Sequence, residues 1–460
     1  MKRLVIVGLV LAVAQAWAGP LDKAWLKGTT DKCAIEYKVG EKVTFTVAPM
    51  EVGKLAKGDW FLNWKRTGDD GVVENGKAPF DGKTAFTYST KIGKPGFVRL
   101  FAIVVDKDGK EYHQKYTGDT TTPEGRKAMN EFEKARKRVY FDGGAGAELG
   151  KLATHEEPKD FDAFWARQFK RLDLVPVKGE RILVPNPSPY AKRYAVEIRC
   201  AGLRPVTGYL TIPNGAAEGK KYPARLETHG YSGDRCVHTA PGWWPSKDEI
   251  VLNINAHGLK LTEFGATEAD TKALRWEIRS HDQSYAFDPQ QNENPEVAYF
   301  NGMVLRVKRA LQYLKTVEGW NGKDLIARGG SQGGLQTIWA AACGEGVTRA
   351  ESDVTWCCDM YTSGKLRKDA ALNLATDWWY VPWTESMGYY DAANFAKRIP
   401  KTCFTFITRA GLGDYICPPM GLAKLWNNIP GNKKIVWVQG SEHGYVPPEY
   451  EGRDIVREAK

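Results

Sequence analysis

Short runs of alternating apolar and polar residues occupy the first quarter of the chain and predict β-strands. Turn sequences separate these runs, for example Asp-Asp-Gly at 69–71 and Asp-Gly at 108–109. Alternation with a period of two residues buries one side of each strand, and short turns join antiparallel neighbours. We therefore expect an immunoglobulin-like β-sandwich over residues 19–125. Its strand candidates are residues 42–47, 60–64, 84–88 and 97–105.

A connecting segment is predicted between this sandwich and the rest of the chain. Residues 118–125 are rich in Thr, Gly and Pro, a short charged helical stretch follows over 126–139, and the run 142–146 contains three glycines. Clusters of Gly, Pro and Thr interrupt regular structure. We therefore expect a linker and helical connection over residues 126–158.

Apolar strands alternate with helical patterns over residues 159–460, which predicts a second domain of the α/β type. Val304, Val307, Leu311 and Leu314 repeat at spacings of three and four residues, as on the buried face of a helix. Strands that alternate with helices form a mostly parallel sheet with helices on both faces. The strand candidates are residues 209–212, 224–228, 250–255, 325–328, 403–408 and 435–438.

The N-terminal residues have the pattern of a secretory signal peptide. Lys2 and Arg3 precede an apolar run over 4–17, which ends in the small-residue motif Ala-Trp-Ala at 16–18. The apolar run is shorter than the roughly 20 residues that a membrane-spanning helix needs. We therefore expect cleavage after Ala18, a secreted or periplasmic protein, and no stable insertion into a membrane.

Charge and cysteine content argue against two functional classes. The formal net charge is +10, but Lys and Arg are scattered among acidic residues, whereas nucleic-acid binding usually needs a clustered basic patch. The eight cysteines include no Cys-x-x-Cys pair, so zinc-finger spacing is absent. We therefore expect no nucleic-acid partner and no metal site. Export permits a disulfide between Cys403 and Cys417, although buried thiols explain these residues equally well.

A Gly-x-Ser-x-Gly motif lies between a predicted strand and a predicted helix. It spans residues 329–333 around Ser331, and Gly334 follows it. A serine on a tight turn between strand and helix presents its hydroxyl, and small neighbours let the helix approach the strand closely. The helix N-terminus also favours negative charge at this point. We therefore predict that Ser331 is a catalytic nucleophile.

A serine nucleophile needs a base, and the base needs an acid that fixes its tautomer. His443 follows the last predicted strand, and Asp414 follows the strand before it, which gives the chain order Ser, acid, His. We predict that His443 is the base and Asp414 the acid. Asp359 also follows Ser331 and stays an alternative acid. Glu442 is not chosen, because neighbouring loop residues seldom face each other.

Two main-chain amides are expected to stabilise the oxyanion that forms when the serine attacks a carbonyl. One is the amide of Gln332, directly after the nucleophile, and the other comes from the loop after an early strand. That loop carries His229, Gly230 and Tyr231. We assign the second amide to Tyr231 and interpret His229 as a residue that orients the loop.

Several motifs of the predicted α/β domain occur together. They are residues 160–165 (Asp-Phe-Asp-Ala-Phe-Trp), 229–231, 329–334, 390–396, 411–414 with 416–419, and 443–444. Together they resemble the acetyl xylan esterase and cephalosporin-C deacetylase family, carbohydrate esterase family seven, within the α/β-hydrolase superfamily. The resemblance covers roughly residues 158–450. It implies an α/β-hydrolase fold, a triad of Ser331, Asp414 and His443, oxyanion amides from Tyr231 and Gln332, and removal of acetyl groups from sugar hydroxyls.

The sequence also departs from this family. The family usually carries Arg-Gly-Gln after the strand that follows the oxyanion loop, whereas residues 255–258 read Asn-Ala-His-Gly. It often lacks an N-terminal sandwich and tends to form ring-like hexamers. From the hexamers of the family, the resemblance implies a homo-oligomer. From the activity of the family, it implies an acetylated oligo- or polysaccharide as substrate. The reaction through an acetyl-enzyme needs no metal or organic cofactor.

Aromatic residues near the predicted site suit the apolar faces of sugar rings. Trp243 and Trp244 follow the oxyanion loop, and Trp378 and Trp379 precede the acid. Core packing explains these residues equally well. Two other functions stay open. One is a serine peptidase of the prolyl-oligopeptidase type, which shares the elbow and the triad order, and the other is a non-catalytic polysaccharide-binding protein.

Overall fold

The computed structural model describes residues 24–50, 58–114, 116, 118–134, 138–185, 188–232, 246–363, 379–450 and 455–459. The expected signal peptide, residues 1–18, lies outside these ranges, so its cleavage and the export of the protein stay predictions. Trp243, Trp244 and Trp378 also lie outside the described residues.

Antiparallel strands near the N-terminus form two small sheets. They are β1 (Trp25–Thr30), β2 (Lys42–Met50), β3 (Trp60–Gly68), β4 (Glu74–Phe80), β5 (Phe86–Lys91), β6 (Gly96–Val105) and β7 (Tyr140–Ala147). One sheet has the order β1-β2-β5 and the other the order β4-β3-β6-β7. Side chains of both sheets, such as Phe45 and Leu100, fill one shared core. This arrangement agrees with the predicted immunoglobulin-like sandwich.

Strand β6 is buried on both faces, as its nearly continuous apolar sequence indicates. Leu100 belongs to the core of the sandwich. Phe97 belongs instead to the core of the second domain, where its ring centroid lies 5.4 Å from that of Trp437. The sandwich and the second domain therefore pack against each other through this strand.

Residues 140–147, which we expected in a linker, form strand β7 and pair with β6. Their glycines reflect a close approach of main chains. A Cβ atom on Gly144 would lie 2.6 Å from the carbonyl oxygen of Val98 and 3.1 Å from that of Leu412. Helix α1 (Pro123–Lys134), which overlaps the predicted helical connection, lies between β6 and β7 in the chain.

The second domain is built on a ten-stranded mixed sheet. Its strands are β8 (Gly179–Val184), β9 (Ala191–Ile198), β10 (Val206–Pro213), β11 (Tyr222–Thr228), β12 (Ile250–Ile254), β13 (Trp320–Gly330), β14 (Arg349–Asp353), β15 (Phe404–Gly411), β16 (Lys433–Val438) and β17 (Ile455–Ala459). Their order is β17-β16-β15-β14-β13-β11-β12-β10-β9-β8. The strands from β16 to β12 in this order are parallel, and the edge strands are antiparallel. The carboxyl ends of the parallel strands therefore meet at one edge.

Helices between these strands complete the domain. They are α2 (Phe161–Asp173), α3 (Glu268–Glu277), α4 (Pro289–Asn292), α5 (Tyr299–Leu314), α6 (Gln332–Ala342), α7 (Ala392–Ala396) and α8 (Pro419–Asn428). Val304, Val307, Leu311 and Leu314 of α5 are fully buried, which confirms the helical face predicted from their spacing. Helix α5 packs against α6, and α6 packs against β11, β13 and β14. The helix that follows the predicted nucleophile is therefore held by both the sheet and a neighbouring helix.

No helix in the described part of the chain is long and apolar enough to span a bilayer. Cys403 and Cys417 are both buried free thiols, so they do not form the disulfide that export would permit.

Candidate active site

Ser331 lies on the turn between β13 and α6, at the carboxyl edge of the parallel sheet. Its backbone has φ 57° and ψ −119°, which is a strained conformation for a residue with a side chain. Two main-chain hydrogen bonds of Ser331 hold the turn. The amide of Ser331 donates to the carbonyl oxygen of Asp353 at 2.9 Å, and its own carbonyl accepts from the amide of Trp356 at 3.1 Å. The hydroxyl therefore projects from a fixed position.

Glycines on both sides of Ser331 let this turn pack against β11. A Cβ atom on Gly329 would lie 2.4 Å from Oγ1 of Thr228, and one on Gly333 would lie 2.4 Å from the carbonyl oxygen of Thr228. Real Cβ atoms do not approach other atoms so closely, so larger residues would push the turn away from the sheet. The predicted role of these glycines in a tight elbow therefore has a direct steric cause.

His443 and Asp414 come together with Ser331 through two hydrogen bonds. His443 Nε2 lies 3.0 Å from Ser331 Oγ, and His443 Nδ1 lies 3.0 Å from Asp414 Oδ2. The side chain of Asp414 is fully buried, whereas that of His443 is 24% exposed. Asp414 Oδ1 also accepts from the main-chain amides of Ile416 and Cys417, at 3.0 and 2.9 Å. These bonds leave Oδ2 directed at the imidazole, which fixes the tautomer with a proton on Nδ1.

The two acids that we did not choose have other partners. Asp359 Oδ2 accepts from the ammonium of Lys424 at 2.5 Å in a buried ion pair. Glu442 accepts from the hydroxyl of Tyr140 at 2.8 Å. The described geometry therefore gives Asp414, of the three candidate acids, the contact with His443.

The loop after β11 brings Gly230 and Tyr231 close to Ser331. A Cβ atom on Gly230 would lie 3.9 Å from the Cβ of Ser331. His229 Nε2 accepts from the amide of Ala256 at 3.0 Å, so Nδ1 carries the proton and donates to the carbonyl oxygen of Gly230 at 2.7 Å. Because that carbonyl and the amide of Tyr231 belong to one peptide plane, His229 fixes the direction of the amide.

Tyr285 is a residue of this region that the sequence reasoning missed. Its hydroxyl donates to Gln332 Oε1 at 2.8 Å and accepts from the amide of Ser232 at 3.1 Å. Its ring stacks on that of Tyr231 with a centroid distance of 4.2 Å. Tyr285 therefore connects the loop of Tyr231 to the N-terminus of α6.

His257, which lies where the sequence departs from the family pattern, supports the same loop. Its Nε2 lies 3.1 Å from the carbonyl oxygen of Ser232, and its Nδ1 lies 2.7 Å from the hydroxyl of Tyr299. Burial and the neighbouring His229 hold the pKa of His257 well below its usual value. His257 is therefore neutral and acts as a hydrogen-bonding residue of the loop.

Arg409 at the end of β15 is a second residue that the sequence reasoning missed. Its guanidinium bonds both carboxylate oxygens of Asp353 at 3.3 and 2.9 Å and donates to the carbonyl oxygen of His443 at 3.2 Å. Burial works against its charge, but Asp353 outweighs burial and raises the pKa of Arg409. Since the carbonyl of Asp353 also binds the amide of Ser331, one residue pair connects the nucleophile to the loop of His443.

The family model described as acetyl xylan esterase (AXE1) matches residues 151–457. The chain belongs to this family. The match covers nearly all of the second domain, with the Ser331, Asp414 and His443 constellation, so it confirms the resemblance stated from the motifs. Membership places the chain in a family of ester hydrolases.

A known acetyl esterase is also similar to this chain. Acetyl esterase Axe7A of Xylanibacter ruminicola is 27% identical over 306 residues, which is 65% of this chain and 66% of that protein. The chain thus spans just under two thirds of the length of this relative.

Two solved structures confirm the α/β-hydrolase fold of the second domain. The acetyl xylan esterase from Paenibacillus sp. R4 matches with a TM-score of 0.53 and 21% identity. Acetyl xylan esterase 1 from Thermoanaerobacterium sp. JW/SL YS485 matches with a TM-score of 0.52 and 20% identity. Each alignment covers 65% of this chain and 94% of the solved one.

In this acetyl xylan esterase family member, an aromatic cleft adjoins the site. The cleft is partly open to solvent, and Ser331, Asp414 and His443 are not among the residues that line it. Trp379, a predicted sugar-stacking residue, lines it together with Trp356, Tyr415 and Ile416. The cleft lies beside the constellation, since Trp356 bonds the carbonyl of Ser331 and Ile416 bonds Asp414.

Asp414, Cys417 and His443 also bring potential metal ligands together. A carboxylate oxygen, a thiol sulfur and an imidazole nitrogen lie within 4.8 Å of one another among the described residues. Zinc accepts these three kinds of ligand. In the present geometry, however, the imidazole already binds Asp414 and Ser331. A metal bound by these three residues would therefore take the place of the proton between His443 and Asp414 and would break the hydrogen bond between them.

Proposed function

We propose that this protein is a serine esterase that removes acetyl groups from acetylated carbohydrates. Ser331 is the nucleophile, His443 the general base and Asp414 the acid that orients it. The observation that carries the proposal is the continuous hydrogen-bonded chain from Ser331 Oγ through the imidazole to Asp414, with both distances at 3.0 Å. Family membership supports the same reaction class.

The first half of the reaction forms an acetyl-enzyme. His443 Nε2 takes the hydroxyl proton as Ser331 Oγ attacks the carbonyl carbon of the ester. The carboxylate of Asp414 stabilises the imidazolium through its bond to Nδ1. When the tetrahedral intermediate collapses, the bond to the sugar oxygen breaks and His443 gives its proton to the leaving alcohol.

The second half releases acetate. Water enters in place of the sugar, and His443 takes its proton as it attacks the acetyl carbon. The bond to Ser331 Oγ then breaks, the proton returns to the serine, and acetate leaves. No step calls for a metal or an organic cofactor.

The amides of Tyr231 and Gln332 stabilise the oxyanion in both halves. Gln332 follows the nucleophile at the N-terminus of α6, and Tyr231 follows Gly230, whose peptide plane His229 fixes. Among the described residues, no main-chain carbonyl accepts a hydrogen bond from either amide. Each such donor lowers the barrier by about 3 kcal/mol.

We place the sugar of the substrate against the aromatic cleft beside the triad. The flat, partly exposed ring of Trp379 suits the apolar face of a pyranose. The names of the relatives from Xylanibacter ruminicola and Paenibacillus sp. R4 support an acetyl ester as the substrate class.

The test is acetate release by the purified full chain from p-nitrophenyl acetate and from acetylated xylans, mannans, pectins and small acetyl sugars. Ser331→Ala should lower turnover by at least about a thousandfold. Ser386→Ala is the matched control, because its hydroxyl bonds the carbonyl of Glu293 away from the site. Mass spectrometry of an acid-quenched reaction should find one acetyl group on Ser331 of the unmodified enzyme.

Two results would overturn the proposal. Full acetate release by Ser331→Ala would show that another group is the nucleophile. Cleavage of proline-containing peptides, with no release of acetate from any sugar, would indicate the peptidase alternative.

A further inference from the structure

The N-terminal sandwich contacts the two loops that carry Asp414 and His443. We name residues 411–417 the acid loop and residues 439–445 the base loop. The two loops are bonded to each other, since the amide of Gly413 donates to the carbonyl oxygen of Ser441 at 3.0 Å. A displacement of either loop therefore moves the other.

Strand β7 of the sandwich lies directly against the acid loop. A Cβ atom on Gly413 would lie 2.2 Å from the carbonyl oxygen of Asp142. Gly144 of the same strand exchanges two hydrogen bonds with the side chain of Gln439 in the base loop, at 2.9 and 2.8 Å. The sandwich therefore reaches both loops through main-chain and side-chain contacts.

A buried ion pair in the sandwich supports the wall of the aromatic cleft. The guanidinium of Arg99 bonds both carboxylate oxygens of Asp142, and the two side chains are 9% and 3% exposed. The same guanidinium lies 4.2 Å from the ring centroid of Tyr415, which lines the cleft. Asp142 thus holds Arg99 against a residue of the acid loop.

A second contact reaches the residue beside the base. The hydroxyl of Tyr140 in β7 donates to Glu442 Oε2 at 2.8 Å across 302 positions of the chain. Glu442 precedes His443 directly. The sandwich therefore anchors the side chain that lies one position before the base.

We propose that the sandwich is part of the catalytic apparatus, with Tyr140 and Arg99 as positioning residues. Tyr140 acts through Glu442 on the imidazole of His443, and Arg99 acts through Tyr415 on substrate held in the cleft. This inference rests on the proposed function, because it takes Asp414 and His443 as the acid and the base. It gives the sandwich a role in the reaction in addition to packing.

Tyr140→Phe tests the base loop, with Tyr88→Phe as its matched control. Tyr88 donates the same kind of phenol-to-carboxylate bond, to Glu74, within the same sandwich. Tyr140→Phe should lower kcat by about tenfold with KM nearly unchanged, since without the anchor on Glu442 the imidazole would leave its productive orientation for part of the time. Tyr88→Phe should leave kcat unchanged at a similar melting temperature.

Two further measurements separate positioning from general destabilisation. The rate at which diethyl p-nitrophenyl phosphate modifies Ser331 should fall with kcat in Tyr140→Phe, because this reaction reports activation of the nucleophile. Adding Glu442→Gln to Tyr140→Phe should cause little further loss, since the two residues act through one contact.

Arg99→Lys tests the cleft wall, with Arg66→Lys as its control. Arg66 forms a buried bidentate pair with Asp70 in the same sandwich, so both changes replace a guanidinium beside a carboxylate. Lysine keeps the charge and loses the planar group over Tyr415. We expect Arg99→Lys to raise KM for acetylated sugars several-fold, whereas Arg66→Lys should not.

Unchanged kcat and an unchanged phosphorylation rate in Tyr140→Phe would overturn the role of Tyr140. Equal KM effects of Arg99→Lys and Arg66→Lys would overturn that of Arg99. If Ser331→Ala still abolishes acetate release in the same assays, the proposed function survives such a failure. If Ser331→Ala stays active, the proposed function itself has failed.

Discussion

The two halves of the candidate active site are held in place in different ways. The nucleophile half consists of Ser331, Gln332 and the loop of Tyr231, and its supports lie in the second domain. Thr228 contacts the glycines of the elbow, and Tyr285 connects the two oxyanion segments. The acid and base loops, in contrast, have supports in the N-terminal sandwich as well.

The nucleophile is positioned by residues close to it in the sequence, whereas the acid and the base are also positioned by residues far from them in the sequence. The elbow needs small residues within a few positions of Ser331, so its conformation follows from adjacent sequence. The acid and base loops meet Asp142, Gly144 and Tyr140, which lie about three hundred positions earlier in the chain. A change in the sandwich should therefore alter the acid and base half and leave the elbow intact.

Asp414→Asn, in the acid and base half, should cause the largest loss of activity. The asparagine oxygen can still accept from Ile416 and Cys417, but its NH₂ group would face His443 and favour the wrong imidazole tautomer. We expect kcat to fall by about ten-thousandfold with little change in the melting temperature. Steady-state kinetics and calorimetry on the same preparation would measure both.

Asp359→Asn is the contrasting variant. It removes one partner of the buried ion pair with Lys424, so it should lower the free energy of unfolding by about 3 kcal/mol or more and leave the remaining folded enzyme active. A loss of kcat in folded Asp359→Asn as large as that in Asp414→Asn would contradict the assignment of the acid.

Gly413→Ala should have the next largest effect, because it separates the acid loop from the sandwich. The new methyl group would lie 2.2 Å from the carbonyl oxygen of Asp142, and neither main chain can yield without moving its loop. A displacement of about 1 Å at a catalytic group can lower turnover by about a hundredfold. We expect a loss of this order together with a lower melting temperature.

Gly150→Ala supplies the control for this change. A Cβ atom on Gly150 would meet nothing within 4 Å, and Gly150 lies three positions after the end of β7, the strand that contacts the acid loop. We expect kcat and melting temperature to stay at their original values. Normal turnover in Gly413→Ala would show that the acid loop tolerates displacement and would weaken the contrast between the two halves.

Much of the candidate active site could be predicted from sequence because its signals are local. The elbow around Ser331 has its glycines in the motif itself, and His443 and Asp414 follow strands that their apolar runs predict. The fold was predictable for the same reason, since the three- and four-residue spacing of apolar residues in α5 and the alternation in β2 reflect burial on one side.

The remaining features depend on contacts that no local pattern reports. Strand β14 reads Arg-Ala-Glu-Ser-Asp, so its charged residues conceal a central strand whose alternate residues Ala350 and Ser352 are fully buried. The glycines of β7 predicted a break, although they permit contact with the acid loop. Tyr285 and Arg409 lie outside every motif, and their roles follow only from the hydrogen bonds that the fold creates.

Tyr285→Phe tests the local support of the nucleophile half. The change keeps the ring stacked on Tyr231 and removes the hydroxyl that joins Gln332 to the amide of Ser232. We expect kcat to fall by about tenfold, because the two oxyanion amides lose their common support. Tyr209→Phe, which removes a bond to Glu263 at the antiparallel edge of the sheet, should leave kcat unchanged.

The smallest expected change is in the sensitivity of the enzyme to zinc, and it concerns only the acid and base half. Added Zn²⁺ is expected to inhibit reversibly, because Cys417, Asp414 and His443 offer it three ligands and its binding withdraws the imidazole from Ser331. Cys417→Ala should raise the inhibitory concentration several-fold, whereas Cys403→Ala, which removes another buried thiol, should not. Chelation should restore activity. Equal inhibition of both variants would show that Cys417 is not a zinc ligand.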